Sequence, residues 1–188
     1  MSKRYEMRFA GSGGQGVILA SVILAEAAVI AGFQTVQSQA YGPEARGGVS
    51  KAETVVSRDK IWYSKVKRPN FLLALTQASA DKYAKELAED AVVMLDDSLQ
   101  LPEELDPSRV IVIPILRTAA EKVGKAFTAN IVAVGAINAA LRLFSDEELM
   151  EGVRRHIPAG TEEINKKALA EGAALITDAQ STAFAQRI

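Results

Sequence analysis

Gly11-Ser12-Gly13-Gly14-Gln15-Gly16 stands between a short apolar segment, Met7 to Ala10, and a long aliphatic run that begins at Val17. That order reads as a strand, a tight turn and a buried helix, the opening unit of an α/β fold. Glycine lets the backbone turn sharply and bares its amides, and with a helix dipole behind them those amides favour an anion. Gly11, Gly13 and Gly16 also satisfy the GxGxxG spacing of a dinucleotide fingerprint. The second half of that fingerprint fails. The next strand, Phe33 to Ser38, runs into Gln37-Ser38-Gln39 with no Asp or Glu to hold a ribose hydroxyl. The turn therefore reads as an anion cradle or as a surface pressed against another backbone, not as an ordinary NAD site. Glycines needed only for close helix–strand packing are the structural alternative.

Working outward, Tyr5 to Ala10 is the first strand and Gln15 to Ala31 the first helix, closed by Gly32. Phe33 to Ser38 and Val49 to Ser57 are the next strands. Arg58-Asp59-Lys60 reads as a turn into a short return strand, Ile61-Trp62-Tyr63, a hairpin whose end carries Lys65, Lys67 and Arg68 as a solvated basic cluster. Phe71 to Leu75, Ala91 to Leu95 and Arg109 to Ile115 are unbroken apolar runs, as expected of strands covered on both faces. Tyr83 and Leu87 mark the apolar side of a helix over 77–89, and a short helix is expected over 118–126. Asn130 to Phe144 is apolar on nearly every face, with Ala133, Gly135 and Ala136 small enough for close packing. Such a helix is buried, in this chain or under a partner, and the isolated chain is expected to self-associate or expose an apolar patch. Ser145 and Glu148 form a capping box for a helix with Leu149, Val153 and Ile157 on one stripe, and Thr161 starts the last helix. Strands alternating with helices define a three-layer α/β/α domain around a mainly parallel sheet, made mixed by the hairpin. No linker or repeat divides residues 1–188, which read as one domain.

Composition narrows the function classes. Hydrophobic residues make up 48% and charged residues 24% of the 188, the balance of a globular protein. A formal net charge of −1 argues against nucleic acid as a partner. There is no cysteine, which removes disulfides, thiolate nucleophiles and Cys-ligated iron–sulfur clusters. His156, the single histidine, follows Arg154-Arg155 and reads as a solvated helix residue, so no multi-histidine metal site is predicted. Lys3 and Arg4 ahead of the run from Val17 crudely imitate a signal peptide, but Glu6 and the glycines separate them and Glu26 breaks the run. The run reads as a buried helix of a cytoplasmic protein without membrane contact.

After the second strand comes Gln37-Ser38-Gln39-Ala40-Tyr41-Gly42-Pro43-Glu44-Ala45-Arg46-Gly47-Gly48. It gathers an aromatic, a rigid proline, a carboxylate and a guanidinium at the carboxyl end of a strand, where α/β folds place ligands. Arg46 suits a phosphate, because its planar fork is always charged and binds two oxygens. The alternative is a turn tied by a Glu44–Arg46 ion pair. Asp96-Asp97 ends a strand in a capping or turn role. Asn130 either caps the buried helix, the simpler role, or points its amide at a ligand. No residue is assigned as a general base, and none as catalytic.

The pairing of GxGGQG with Tyr41-Gly42-Pro43-Glu44-Ala45-Arg46-Gly47-Gly48 resembles the gamma subunit of the 2-oxoacid:ferredoxin oxidoreductases. The likeness is greatest to the 2-oxoglutarate (KorC-type) branch, with the pyruvate, branched-chain and indolepyruvate branches as competitors. It continues through Ala129-Asn130-Ile131 with Gly135, and through Ile157-Pro158, Asn165 and Ala168 to Gly172, nearly the whole chain. The resemblance implies a complex converting a 2-oxoacid, coenzyme A and oxidised ferredoxin to acyl-CoA, carbon dioxide and reduced ferredoxin. Thiamine diphosphate, its magnesium ion and the iron–sulfur clusters are then expected on alpha and beta subunits and, in some complexes, a ferredoxin-like delta subunit. This chain is implied to be an auxiliary subunit, inactive alone, that meets ferredoxin only through the complex. In relatives the corresponding segments lie towards coenzyme A, which makes Gly11, Gly13, Gly14, Gln15, Gly16, Tyr41, Glu44, Arg46 and Asn130 the cofactor-binding candidates. Single-chain pyruvate enzymes carry lysines where this chain has Glu44 and Ala45, which leaves Arg46 for a phosphate. Two other classes stay open: a free-standing nucleotide-binding oxidoreductase, and an assembly module whose loops only contact partner subunits.

Overall fold

A computed structural model of the chain describes residues 4–40, 49–178 and 180–181. Tyr41, Glu44 and Arg46 lie outside the described residues. The central strand β1 (Arg4–Ser12) alternates strictly: Tyr5, Met7 and Phe9 join the larger core, while Arg4, Glu6 and Arg8 point to the opposite face. The sheet has six strands in the order β2-β3-β1-β4-β5-β6. Here β4 (Phe71–Ala74), β5 (Val92–Asp96) and β6 (Val110–Ile113) extend from β1 in parallel. On the other side β3 (Val49–Ser57) lies antiparallel between β1 and β2 (Gln34–Ala40). The expected α/β fold with a mainly parallel, mixed sheet is borne out.

The source of the mixing is not the expected hairpin. Both edges of β3 are already hydrogen-bonded, to β1 and to β2, so Ile61-Trp62-Tyr63 has no free edge to pair with. Residues 58–70 instead run irregularly, tied to the start of β1. The Asn70 carboxamide accepts the Glu6 N–H and donates to the Arg4 carbonyl, both at 2.8 Å.

One face of the sheet carries α1 (Val17–Ile30), α4 (Ala129–Leu141), α5 (Asp146–Arg154) and α6 (Glu162–Ala173), with α3 (Ile115–Arg117) prolonged by π-helical turns to Val123. Among the described residues the other carries α2 (Gln77–Tyr83) and a 3₁₀ turn, Ala84–Glu86, because Leu87 takes extended backbone and ends the expected longer helix. That thin second layer leaves Val112 of the edge strand β6 half exposed, so β6 is covered on one face where both were expected.

The all-round apolar helix α4 is enclosed by this chain itself. A Cβ on Gly135 would stand 2.2 Å from the Leu169 carbonyl oxygen, and one on Gly172 only 2.0 Å from that of Val132. Helices α4 and α6 therefore cross backbone against backbone, and of the two expectations for α4, burial in this chain or under a partner, the first holds. The Ser145–Glu148 capping box forms as predicted. His156 is a correction: it follows α5, half-buried, with Nε2 3.6 Å from Glu26 Oε2 of α1, while Arg155 Nη1 binds Glu26 at 2.6 Å. It belongs to a clasp between α1 and α5 and is not a solvated helix residue. Among the described residues no helix is long and apolar enough to cross a membrane.

Candidate functional site

The glycine turn joins β1 to α1, and its glycines are there for different reasons. Gly11 is a packing glycine: a Cβ there would lie 2.5 Å from Gln15 Oε1 and 3.0 Å from Val17 Cγ1. Gly14 and Gly16 are conformational, with φ of 92° and 71° in the left-handed region that side chains disfavour. Gly13 has neither reason. Its φ is not positive and a Cβ there would meet nothing within 4 Å, so the chain's own fold does not require glycine. Gly13 and Gly14 are both exposed.

Gln15 braces the turn. Its Oε1 accepts the Ser12 N–H at 2.7 Å and its Nε2 donates to the Leu75 carbonyl at 3.2 Å, so both ends of the carboxamide are engaged within the chain. Behind the turn, α1 starts with Gly16 as its N-cap, no side-chain cap and no acidic residue in its first turn. Its first amides are thus open donors at the positive end of the helix dipole.

Asn130 packs directly against this turn. Its Nδ2 lies 2.6 Å from where a Gly16 Cβ would stand. The N-cap of α4 is Thr128, not Asn130, which corrects the capping role expected from the sequence. Asn130 is buried to 4% exposure, and its carboxamide forms no hydrogen bond with another described residue. Its amide is not sealed, however: among the described residues the buried side-chain polar atom that lacks a hydrogen-bond partner is His156 Nε2, and the Asn130 carboxamide keeps an opening to solvent. It is therefore a polar group free to meet something brought to the turn.

Strand pairing brings the ends of the Tyr41–Arg46 loop to the same place. Val49, which opens β3, pairs with Ser12, and Ala40, which closes β2, pairs with Lys51 beside it. The open turn, the uncapped α1, Asn130 and both ends of the loop therefore share one end of the sheet. Asp96 works as expected for a turn: Oδ1 accepts the Ser98 N–H at 3.1 Å, and Oδ2 the Leu116 N–H at 2.8 Å. Among the described residues no three His, Asp or Glu side chains converge as a metal site would require.

A buried charge cluster on the second face went unread in the sequence. Arg8, 2% exposed, binds Glu53 at 2.8 Å and Glu86 at 2.5 Å, and lies 4.8 Å from the Tyr83 ring centroid; Lys51 joins Glu53 at 3.1 Å. The period of two in Arg4-Tyr5-Glu6-Met7-Arg8-Phe9 carried the signal, since it sets Arg8 on the face away from the larger core.

Residues 6–175 match the pyruvate ferredoxin/flavodoxin oxidoreductase family. The chain is 40% identical to the 2-oxoglutarate synthase subunit KorC of Methanocaldococcus jannaschii over 172 residues, covering 90% of this chain and 92% of that one. Its fold matches the gamma subunit of a keto/oxoacid ferredoxin oxidoreductase from Geobacter sulfurreducens with a TM-score of 0.80 and 42% identity, over 92% of this chain and 96% of the other. A 2-oxoglutarate:ferredoxin oxidoreductase from Magnetococcus marinus, solved with 2-oxoglutarate, coenzyme A and succinyl-CoA bound, shares the fold at a TM-score of 0.79. It is 22% identical, over 93% of this chain and 31% of that one. The chain belongs to the pyruvate ferredoxin/flavodoxin oxidoreductase family, as a gamma subunit of the 2-oxoacid:ferredoxin oxidoreductases. It is thus one part of a multi-subunit oxidoreductase, as the paired glycine and tyrosine loops had implied.

Proposed function

We propose that this subunit serves a complex that oxidises 2-oxoglutarate with coenzyme A and oxidised ferredoxin to succinyl-CoA, carbon dioxide and reduced ferredoxin. In it the glycine-turn end of the sheet encloses coenzyme A. The observation that carries this reading is Gly13: exposed, bare and without any demand from its own fold. Such a position is explained when another molecule approaches the backbone more closely than a Cβ allows.

The chemistry of the turn fits a phosphate-bearing, amide-rich ligand. The open amides at the start of α1 favour phosphate charge, and the unpartnered Asn130 carboxamide can both donate and accept. Coenzyme A, when bound, supplies the thiol that takes up the acyl group. The roles of this chain are to bind, orient and keep water from it. Arg46 is proposed as the phosphate ligand from its sequence context. Thiamine diphosphate, magnesium and the iron–sulfur clusters are assigned to alpha, beta and ferredoxin-like partner subunits, and the separated chain should show no oxoacid-dependent dye reduction.

The test is made on the assembled complex. A charge-assisted hydrogen bond contributes roughly 1.5–3 kcal/mol, so Arg46→Ala should weaken coenzyme A about 10- to 150-fold. Gly13→Ala should weaken it too, while oxoacid affinity and thiamine occupancy hold. Subunit stoichiometry is read in parallel. Intact complexes with unmoved coenzyme A affinity in both variants overturn the reading, and lost partner subunits would make the turn an assembly contact instead.

A further inference from the structure

Residues 58–68 hold Arg58, Lys60, Lys65, Lys67 and Arg68 against the single acid Asp59, in a chain whose net charge is −1. The segment is irregular but firmly held. Val66 and Pro69 are buried. The Tyr63 carbonyl accepts Arg4 Nη2 at 3.0 Å, and Arg68 Nε donates to the Leu87 carbonyl at 3.1 Å. From this base Trp62 stands 82% exposed and Tyr63 54% exposed. Lys60 Nζ lies 4.2 Å from the Trp62 ring centroid and Lys67 Nζ 5.7 Å from that of Tyr63.

Two further observations turn this strip into a surface. Lys51, Lys85, Arg117 and Arg155 each have a carboxylate, whereas Lys60, Lys65 and Lys67 have none among the described residues. A nearly bare tryptophan on a fixed scaffold is also unfavourable in water, and Trp and Tyr dominate the energetics of protein interfaces.

We infer that this strip docks on a carboxylate-bearing surface of another subunit of the oxidoreductase complex. Lys60 and Lys67 each keep one side on a ring and leave the other side open, so a carboxylate completes each cation without displacing it. A stacked nucleobase would compete with Lys60 for a face of the indole, which favours a protein occupant. The inference rests on the chain being a subunit and not on the coenzyme A reading. Arg4, which holds Tyr63, and Ser12, which opens the glycine turn, are at opposite ends of β1, roughly 27 Å apart at about 3.4 Å per residue.

The experiment is reconstitution of the complex from this chain and its partner subunits, followed by sedimentation, with thermal melting of each variant alone as the fold control. Trp62→Ala should weaken association about 30-fold, the size of an interface hot spot of about 2 kcal/mol. Lys60→Glu/Lys67→Glu should weaken it further and flatten its salt dependence, and the charge-conserving Lys60→Arg should retain it. Normal association of correctly folded Trp62→Ala and double-reversal variants overturns the proposal. So does association that is unchanged while a labelled single-stranded oligonucleotide binds the parent and not the variants. Failure of the coenzyme A reading would appear differently, as unmoved coenzyme A affinity in the glycine-turn variants of an intact complex.

Discussion

The glycine turn allows dihedral strain, steric contact and ligand clearance to be separated by three alanine substitutions in one loop. Gly14→Ala isolates the dihedral, since φ is 92° and nothing lies within 4 Å of the new Cβ. A left-handed alanine costs about 1–2 kcal/mol. Gly16→Ala combines a φ of 71° with a Cβ 2.6 Å from Asn130 Nδ2, 2.9 Å from Cγ and 3.1 Å from Cβ. Asn130 is buried in the first turn of α4, so it has little room to yield, and overpacking adds about 1–3 kcal/mol. Gly16→Ala should therefore cost about 2–5 kcal/mol, a fall in Tm of about 4–20 °C for a chain of this size. Gly13→Ala should stay within about 1 kcal/mol of the parent, on the stabilising side, because the unfolded chain loses freedom. The assay is guanidinium unfolding of the isolated chain, with Asn130→Ala completing a double-mutant cycle. Gly16→Ala/Asn130→Ala should recover the steric part and keep the dihedral part. Equal costs for Gly14→Ala and Gly16→Ala, or no coupling between positions 16 and 130, would refute the geometry on which the site is built.

Three further perturbations follow from other parts of the fold. Arg8→Ala strands the buried Glu53 carboxylate with only Lys51 and should cost about 3–5 kcal/mol, whereas Glu86→Gln, at a half-exposed position, should cost under about 1 kcal/mol; chemical denaturation that ranks them equally would count against the cluster. Gly172→Ala drives a Cβ to 2.0 Å from the Val132 carbonyl oxygen and should cost at least the upper end of about 1–3 kcal/mol, read as a lower Tm, while Gly124→Ala, with φ of 85° and open space around it, should cost only its dihedral. Burial raises the Tyr5 hydroxyl above its ordinary value of 10.0, so the folded state holds that proton more tightly than the unfolded chain. The resulting stability is complete below pH 10 and is lost as pH rises towards the raised folded value; alkaline melts should fall more steeply for the parent than for Tyr5→Phe.

The strands and helices were legible where a period was strong and a boundary had its own chemistry. The alternation in β1, the apolar runs of β4 and β5, and the capping box at Ser145 each named one local structure, and tertiary packing agreed with it. Residues 58–63 misled for a reason that no local reading contains. Ile61-Trp62-Tyr63 has strand composition after a turn, but a return strand needs a free edge, and β2 had already taken it. Trp62 and Tyr63 were thus read into a return strand, whereas they form an exposed surface. His156 misled in the same way, because Glu26 lies far away in sequence and only the packing of α1 on α5 brings it near.

The candidate site shows the complementary case. Four glycines in a row of six look alike in sequence, yet Gly11 serves packing, Gly14 and Gly16 serve the turn, and only Gly13 is left without an internal cause. Sequence ranks such glycines together because it reports the missing Cβ and not what the Cβ would have met. Asn130 is the reverse: one asparagine near a helix start reads as a cap, since caps are common there. Once Thr128 takes that place, the carboxamide has no hydrogen-bonding role with another described residue. A carboxamide without a partner among the described residues and a bare backbone exposed without a steric reason lie on either side of Gly16. Neither is needed by the isolated chain, and a single bound molecule reaching both would explain the two together.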